Sequence, residues 1–422
     1  MTAATGSFKF DPFFPGPRDL RPAVFAELRA QPGLYRTGAD LWVAARFDDV
    51  KAIQSQPELF SSRPNPYEGP PAEGTPDADP DLIDRLLTVA SSMPIDLDEL
   101  ATAQAIASAD PPEHTRVRRI VSRGFTPGRI TAMATTIAAI VDRCMNGAGD
   151  LDGFDVVERL AVPLPVEMIA NILGIESAGY DQVKQWSDDF AASAVGDIRS
   201  TPEGQLALVT TLRDFALFYV PLIEERRAEP KDDVISAMLR AVDDEALTTV
   251  ETLTMAITIM VAGNETSTNL IGNAVVELLS NPEQLELLSA DPSVLPAAVD
   301  EANRLTAPIQ IAFREATEDV EVAGTAIAKG DVIALHMAAA NRDPQQFDDP
   351  DRFDITRPRA RHLSFGHGVH FCLGSHLALQ EVTTALGALL PHLPSVRLAD
   401  APLESNPSAI LNGWRKVELV RN

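Results

Sequence analysis

Apolar residues recur every three or four positions along most of the chain, and this spacing predicts a mainly helical protein. The longest such segment covers 246–280, contains no proline, and would extend roughly 50 Å as a helix. Further helices are predicted over 22–30, 48–54, 110–122 and 377–390, and across 130–250 apart from polar breaks at 147–152, 196–203 and 229–233.

Two short apolar runs, 41–45 and 309–312, are typical of strands. Residues 61–110 are the least regular part of the chain, since they combine five prolines between Pro64 and Pro76 with many acidic residues. This composition predicts a long loop, which is either a solvated surface segment or a functional cover, because long loops inside compact domains are often functional.

The length of 422 residues alone would predict two or three domains, and an apolar share of 45% supports a large core. With 61 acidic and 35 basic residues the formal net charge is −26, which disfavours binding to nucleic acids or anionic membranes. The two cysteines, Cys144 and Cys372, do not suggest disulfides, so a cytoplasmic location is expected. Neither a signal peptide nor an apolar membrane-spanning run is expected.

Residues 365–374, FGHGVHFCLG, carry the clearest chemistry of the chain. Cys372 lies on a glycine-rich loop directly before a predicted helix, where free backbone N–H groups favour the thiolate that binds metals. Gly366, Gly368 and Gly374 would permit positive φ and the close approach of a large flat ligand. Taken alone, Cys372 could instead be a small buried apolar residue.

This stretch resembles the haem-ligand loop of the cytochrome P-450 family, Phe-x-x-Gly-x-(Arg/His)-x-Cys-x-Gly. Its fixed positions are filled by Phe365, Gly368, His370, Cys372 and Gly374. The resemblance implies one triangular domain over residues 1–422, mainly α with a small β-rich lobe, and a long central helix over the haem. It also implies that Cys372 is the axial thiolate of haem b, and that residues 61–110 cover the substrate.

Two further runs are similar to the segments of the family that bind the haem carboxylates. His114 and Arg118 are four residues apart on the predicted 110–122 helix and so share one face, although a solvated basic face would show the same spacing. Arg314 matches another carboxylate-binding position. With His370, these residues give four donors for two carboxylates.

The middle of the long helix, Ala262-Gly263-Asn264-Glu265-Thr266-Ser267, is polar between apolar turns. It is either a kinked helix whose hydroxyls bond their own backbone, or a functional site. It resembles the oxygen-activation motif of the family. The resemblance implies that Gly263 opens space beside the haem, Thr266 supplies a hydroxyl, and Glu265 relays protons.

Glu301 and Arg304, three residues apart, match the structural Glu-x-x-Arg ion pair of the family, and 341–353 resembles the turn-rich segment that completes its network. Substrate-pocket positions carried over from the family are all apolar. They are Met255, Ile259, Met260, Ala262, Ile309, Ile311, Ala409, Ile410 and Leu411.

The resemblance implies a haem-thiolate monooxygenase that hydroxylates a hydrophobic organic substrate, such as a terpenoid, fatty acid, steroid or aromatic, with dioxygen. Electrons would come from an external ferredoxin and its reductase, because no flavin domain is evident in the chain. A basic patch of arginines 116, 119, 123, 359 and 361 would attract the ferredoxin, unless these are scattered solubilising residues. The alternatives are a peroxide-driven haem-thiolate enzyme and a non-catalytic haem-binding module.

Overall fold

The computed structural model describes residues 9–13, 18–38, 40–63, 79–175, 179–195, 201–240, 245–358, 360–406, 408 and 410–422. Its α-helices are α1 Arg21–Arg29, α2 Phe47–Gln54, α3 Pro80–Ala90, α4 Leu97–Thr102, α5 Glu113–Val121, α6 Pro127–Ala132, α7 Ala134–Met145, α8 Pro163–Ile172, α9 Tyr180–Val195, α10 Pro202–Ala228, α11 Val234–Leu239, α12 Thr249–Ser280, α13 Pro282–Ala290, α14 Leu295–Thr306, α15 Met337–Ala340 and α16 Ser375–Leu389. The predicted mainly helical architecture is confirmed.

The strands are β1 Tyr35–Arg36, β2 Trp42–Ala44, β3 Phe60–Ser61, β4 Phe154–Asp155, β5 Ile311–Ala316, β6 Val320–Val322, β7 Thr325–Ile327, β8 Val332–His336, β9 Val396–Leu398 and β10 Glu418–Arg421. They form a five-stranded sheet in the order β1-β2-β8-β5-β3, a three-stranded sheet β4-β10-β9 and the hairpin β6–β7. In the large sheet only β2 and β8 pair in parallel. The sheet therefore joins the N-terminal region to residues beyond position 310.

The central helix α12 begins at Thr249, three residues later than predicted, because Thr248 caps it. The Thr248 hydroxyl accepts from the Glu251 amide at 3.1 Å, and the Glu251 carboxylate accepts from the Thr248 amide at 2.9 Å, which is a complete capping box. The helix contacts α8, α9, α14 and α16, so it runs through the main hydrophobic core. Two smaller apolar clusters lie against the large sheet.

The prediction of a continuous loop over 61–110 was wrong for the part that the structure describes. Two helices, α3 and α4, form there because Asp79 and Asp96 accept hydrogen bonds from the first free amides of each helix. Pro80 also occupies the first position of α3, where a missing N–H costs nothing. Residues 64–78 lie outside the described residues.

Among the described helices, Pro202–Ala228 alone is long and apolar enough to cross a membrane by length and composition. In this structure it packs against α3, α9, α11 and α12 within the fold. The sequence pattern did not single it out, because Arg213 and Asp214 interrupt its apolar run.

Candidate active site

The cysteine loop closes on itself through its backbone. The Cys372 amide donates to the Phe365 carbonyl at 2.8 Å, and the Phe371 amide donates to the Gly368 carbonyl at 3.1 Å. Gly366 and Gly368 have φ of +70° and +69°, as predicted for turns that exclude side chains. A Cβ atom at Gly368 would lie 2.4 Å from the Gln54 carbonyl oxygen, so this glycine also lets the loop pack against the end of α2.

Gly374 differs from the other two loop glycines, because it does not use the positive φ that a glycine permits. Its φ is −88°, and a Cβ atom built on it would meet no atom of the described chain within 4 Å. Nothing in the described protein therefore requires a glycine at 374. The space beside Gly374 is open to a bound group.

Two opposing influences act on the Cys372 thiol. Burial raises its pKa, while the Gly374 and Ser375 amides at the start of α16 and the Arg118 guanidinium act to lower it. The net direction is upward. The expected stabilisation of a thiolate by the helix start is therefore present but is outweighed by burial.

The four predicted carboxylate-binding residues do meet beside this loop. The rings of His114 and His370 lie 4.2 Å apart, centroid to centroid, and Arg118 donates to the Phe371 carbonyl. Arg314 on β5 is buried and donates to its neighbouring Phe313 carbonyl at 2.6 Å. These residues, which come from α5, β5 and the cysteine loop, form what we call the donor cluster.

The donor cluster contains a buried hydrogen-bonding group that the described residues leave without a partner. His114 is 1% exposed, and neither of its ring nitrogens has a hydrogen-bond partner among the described residues. Burial lowers the pKa of Arg314 to about 10, and burial with Arg314 and His114 nearby lowers that of His370 to about 3. Buried donors without acceptors are costly, so the cluster fits an anionic group such as the two carboxylates of a haem.

Sequence reasoning missed two residues that support this cluster. The Ser62 hydroxyl lies 3.0 Å from His370 Nε2, and the Ser62 amide donates to Asp110 at 2.8 Å. Asp110 also accepts from Ser61 and pairs with Arg63 at 3.4 Å. Nothing local in the sequence links position 62 to position 370, because the large sheet brings them together.

One stripe of α12 around Ala262 is open, and we call it the open stripe. Ala262 is exposed and Thr266 half-buried, and the Thr266 hydroxyl donates to the Ala262 carbonyl one turn earlier at 2.8 Å. Met255 and Ile259 lie on the same helical face by their spacing, but both are buried in the main core, at 3% and 6% exposed. Half-buried Ile309 and Ile410 come from the segment before β5 and from the C-terminal turn.

Three predicted positions do not face this open stripe. A Cβ atom at Gly263 would lie 2.5 Å from Ile169 Cδ1, so this glycine admits α8 rather than a ligand. Met260 is fully buried, and its carbonyl accepts from Ser187 of α9 at 3.4 Å. Ile311 is 2% exposed in the cluster beneath the large sheet. Ala409 lies outside the described residues.

Glu265 points away from the open stripe, toward α9 and the C-terminal segment. Burial raises the pKa of its carboxyl, Asp188 raises it further, and Lys184 and a hydrogen bond with Asn406 oppose the shift. Lys184 itself pairs with Asp188 at 2.5 Å. Glu265, the predicted acid of the proton relay, therefore lies next to α9 and not on the open stripe.

The predicted ion pair is present and larger than expected. Arg304 binds both Glu301 oxygens, at 2.7 and 2.8 Å, and donates to the Asn341 carbonyl at 2.7 Å. Arg357, which the sequence did not single out, donates to Glu301 at 3.1 Å. The Asn341 side chain accepts from the Leu363 amide at 2.7 Å, which connects this network to the cysteine loop.

The predicted basic patch is only partly available. Arg116 is bound by Glu113 and Glu251, and Arg119 pairs with Glu245 at 2.7 Å. Arg123 and Arg361 are exposed, and Arg359 lies outside the described residues. A groove of about 600 Å³ follows the outer side of the cysteine loop, and its lining includes Lys51, Arg361, His362, His367, Phe371 and His376.

Comparison with known proteins agrees with this geometry. The Cytochrome P450 family model matches residues 288–398. Cytochrome P450 107B1 of Saccharopolyspora erythraea is 34% identical over 412 residues, which cover 97% of this chain and 96% of that protein. The chain therefore belongs to the cytochrome P450 family, whose members are haem enzymes with a cysteine thiolate ligand, and it is a monooxygenase of that family.

Two further relatives extend the comparison. The 6-deoxyerythronolide B hydroxylase of the same bacterium is 36% identical over 363 residues, covering 86% of this chain and 85% of that protein. The crystal structure of CYP109E1 from Bacillus megaterium in complex with testosterone superposes with a TM-score of 0.80 at 28% identity, covering 98% of this chain and all of that one. The expected cytochrome P-450 fold is confirmed.

Proposed function

We propose that this monooxygenase binds haem through Cys372 and hydroxylates a hydrophobic organic substrate, with electrons from a ferredoxin. The donor cluster carries the proposal. Four basic residues from three parts of the fold converge beside the only cysteine that follows a glycine-rich turn, and they lack a matching set of carboxylates. This arrangement supports a bound group that has two carboxylates and a metal.

The haem, when bound, supplies oxygen chemistry that a cysteine thiolate promotes. The protein contributes position and protons. Thr266 Oγ1 lies on the open stripe and keeps lone pairs free while it donates to the Ala262 carbonyl. The Glu265 carboxyl, with its raised pKa, holds a proton more readily than an exposed glutamate and can pass it from the α9 surface inward.

The open stripe and its neighbours are apolar, which supports a terpenoid, fatty acid, steroid or aromatic substrate. Met255, Ile259 and Ala262 on α12 face the same side as Thr266, and Ile309 and Ile410 are half-buried. Relatives include a hydroxylase of 6-deoxyerythronolide B and a structure bound to testosterone. Apolar contacts of this kind bind by area and shape, so they suit large hydrophobic molecules.

The groove beside the cysteine loop replaces the arginine patch as the proposed ferredoxin site. Lys51 and Arg361 supply positive charge, while exposed Phe371 supplies an apolar contact next to Cys372. A small acidic ferredoxin fits this local charge on an otherwise acidic chain. We place the protein in the cytoplasm, where such reductants are found.

The decisive experiment is the spectrum of the reduced, carbon-monoxide-bound protein. The wild type and Cys144→Ser should show the strongly red-shifted Soret band of a thiolate-ligated haem, and Cys372→Ser should lose it. Cys144 is the matched control, because it is also half-buried but lies on α7. A wild type without this band, or a Cys372→Ser variant that retains it, would contradict the proposal.

The proposed function and its two alternatives differ in the source of electrons or oxidant that they need to form product. With ferredoxin, reductase and a compound that shifts the haem spin state, the proposal expects product in proportion to electrons delivered. A peroxide-driven enzyme would form product from peroxide alone at a comparable rate. A non-catalytic module would form none with either.

A further inference from the structure

Asn412 forms hydrogen bonds through its backbone and its side chain to several distant parts of the fold. Its amide donates to the Pro308 carbonyl at 2.8 Å, and its carbonyl accepts from Asn273 of α12 at 2.7 Å. Its side-chain nitrogen donates to the Thr306 carbonyl at the end of α14. Its side-chain oxygen accepts from both Arg18 and Arg21, the latter at 3.1 Å.

The two arginines belong to the N-terminal arm, defined here as residues 18–29. Arg18 also donates to the Asn273 side chain at 3.2 Å and stacks 3.7 Å over the Trp414 ring. Arg21 also donates to Gln310 at 3.3 Å. The arm therefore reaches α12, the start of β5 and the C-terminal turn with two side chains.

This junction is electrostatically demanding. Burial and the neighbouring Arg21 lower the pKa of Arg18 to about 9, and Glu277 opposes the shift only in part. Two cations that share one neutral amide oxygen repel each other. This arrangement is stable only where the surrounding contacts hold both arginine side chains in place. The C-terminal turn and the arm therefore fix each other.

The turn held by Asn412 carries Ile410 and Leu411. The Gln310 amide donates to the Ile410 carbonyl at 2.8 Å, and Ile309 pairs with Leu411 across a bridge. Both Ile410 and Ile309 are half-buried, and we assign them to the substrate cavity in the proposed function. A shift of Asn412 would therefore move an apolar side chain of the proposed substrate cavity.

We infer that Arg18 and Arg21 are positioning residues for substrate selectivity, acting through Asn412 on the Ile410 turn. This inference rests on the proposed function, because it takes Ile410 to face the substrate. The arm itself touches no predicted catalytic or haem-binding residue in the contacts of the structure. The arm should therefore affect the binding of large ligands that fill the cavity and leave the binding of small ligands unchanged.

The test compares two azoles that bind haem iron and differ in size. Imidazole senses only the iron, whereas clotrimazole, with three aryl rings, also fills the apolar cavity. Arg18→Gln and Arg21→Gln should each weaken clotrimazole binding about fivefold, because the Ile410 turn is then held less firmly in the shape that fits a large ligand. Imidazole binding should change less than twofold, and both values come from Soret titrations of purified holoprotein.

Arg29→Gln is the matched control, since Arg29 lies in the same arm and donates to the Ala339 carbonyl at 2.8 Å, away from the turn. It should alter neither azole. Asn412→Ala removes the acceptor oxygen that both arginines share and should resemble the arginine variants. Hydrogen exchange at residues 408–412 should quicken in Arg18→Gln and not in Arg29→Gln.

Two results would overturn the inference. One is equal clotrimazole affinity in Arg18→Gln, Arg21→Gln and Arg29→Gln. The other is equal weakening of imidazole and clotrimazole, which indicates general damage to the haem site. If Arg18→Gln does not fold, Arg18→Lys provides the same comparison with charge retained. Failure of the proposed function is distinct, because the wild type would then show no Soret shift with imidazole.

Discussion

Two buried carboxylates on the neighbouring helices α14 and α16 have opposite surroundings. Glu301 receives hydrogen bonds from Arg304, Arg357 and the Asp354 amide, at distances of 2.7 to 3.1 Å. Glu381 is 2% exposed and receives one hydrogen bond, from the Ser267 hydroxyl at 2.9 Å. Its other oxygen has no partner among the described residues.

The difference shows what each side of the site requires. Behind the cysteine loop, a charged carboxylate orders two arginines and the turns that lead into the loop, so the thiolate ligand is held by a rigid frame. Between α12 and α16, burial raises the pKa of Glu381 to about 8, so a neutral acid bridges the central helix to the helix after the cysteine. Glu301 therefore makes several ionic hydrogen bonds, whereas Glu381 makes a single neutral one.

Glu301→Gln should have the largest effect. It would leave the buried guanidiniums of Arg304 and Arg357 without their counter-charge, at a cost of about 3–5 kcal/mol. We expect loss of haem retention and a large fall in the free energy of unfolding, measured by Soret absorbance and thermal denaturation. The exposed Glu283→Gln is the control, and equal stability of the two variants would contradict the structural role of this pair.

Glu381→Gln should change how stability depends on pH. Because the folded pKa of about 8 exceeds the ordinary value of 4.5, the folded protein binds more protons than the unfolded chain between those values. This group therefore makes the wild type lose stability as pH rises from 4.5 to 8, by several kcal/mol.

Glutamine retains an acceptor for Ser267 and cannot ionise, so Glu381→Gln should be the more stable protein at pH 8 and differ little from the wild type at pH 4.5. Denaturant unfolding at several pH values measures the difference. Exposed Glu286→Gln should follow the wild type throughout. Parallel curves for the wild type and Glu381→Gln would show that Glu381 is ionised in the folded protein.

Ser267→Ala should have a smaller effect. It removes the one hydrogen bond of Glu381 and leaves a buried acid unpaired, which costs about 1–3 kcal/mol. The comparison with Glu301 predicts that this loss is smaller than that of Glu301→Gln at pH 6, again by denaturant unfolding. A loss as large as that of Glu301→Gln would mean that the two contacts are equally important for folding.

Of these variants, Thr266→Ala should change the free energy of unfolding least and the product formed per electron most. The hydroxyl only donates to its own helix at the Ala262 carbonyl, a bond that contributes little to helix stability. We expect unfolding within about 0.5 kcal/mol of the wild type, and a severalfold drop in product formed per electron consumed. Thr258→Ala, whose hydroxyl makes the same kind of bond two turns earlier, is the control. Unchanged product yield per electron would exclude the proton role of Thr266.

Sequence reasoning succeeded where spacing is local and chemistry is specific. The cysteine loop, its positive-φ turns at Gly366 and Gly368, the Glu301–Arg304 pair and the shared face of His114 and Arg118 were all readable within a few residues. The central helix was also clear, because its long apolar period has few alternatives. Its start differed because the Thr248 cap is a local signal that the periodicity did not reveal.

Other features depended on contacts that no single segment contains. Gly263 lies within the recognised motif but makes room for Ile169 of α8, and Met260, predicted to line the substrate pocket, lies against α9. Arg357 and Ser62 act on residues distant in sequence. The helices α3 and α4 were overlooked because proline content was given more weight than the aspartates that cap them.

The packing of the cysteine loop against early parts of the chain also affects the order in which the protein folds. The loop packs against the end of α2 through Gly368 and reaches Ser62 from His370, a contact between residues 308 positions apart. Contacts so distant in sequence form late, because closing the chain over that length costs entropy before any contact compensates. A growing chain emerging from the ribosome cannot complete this loop until residues 365–374 have been made, long after α2 and Ser62. Haem capture by this protein should therefore follow synthesis of the cysteine loop, and chains truncated before residue 365 should remain without haem.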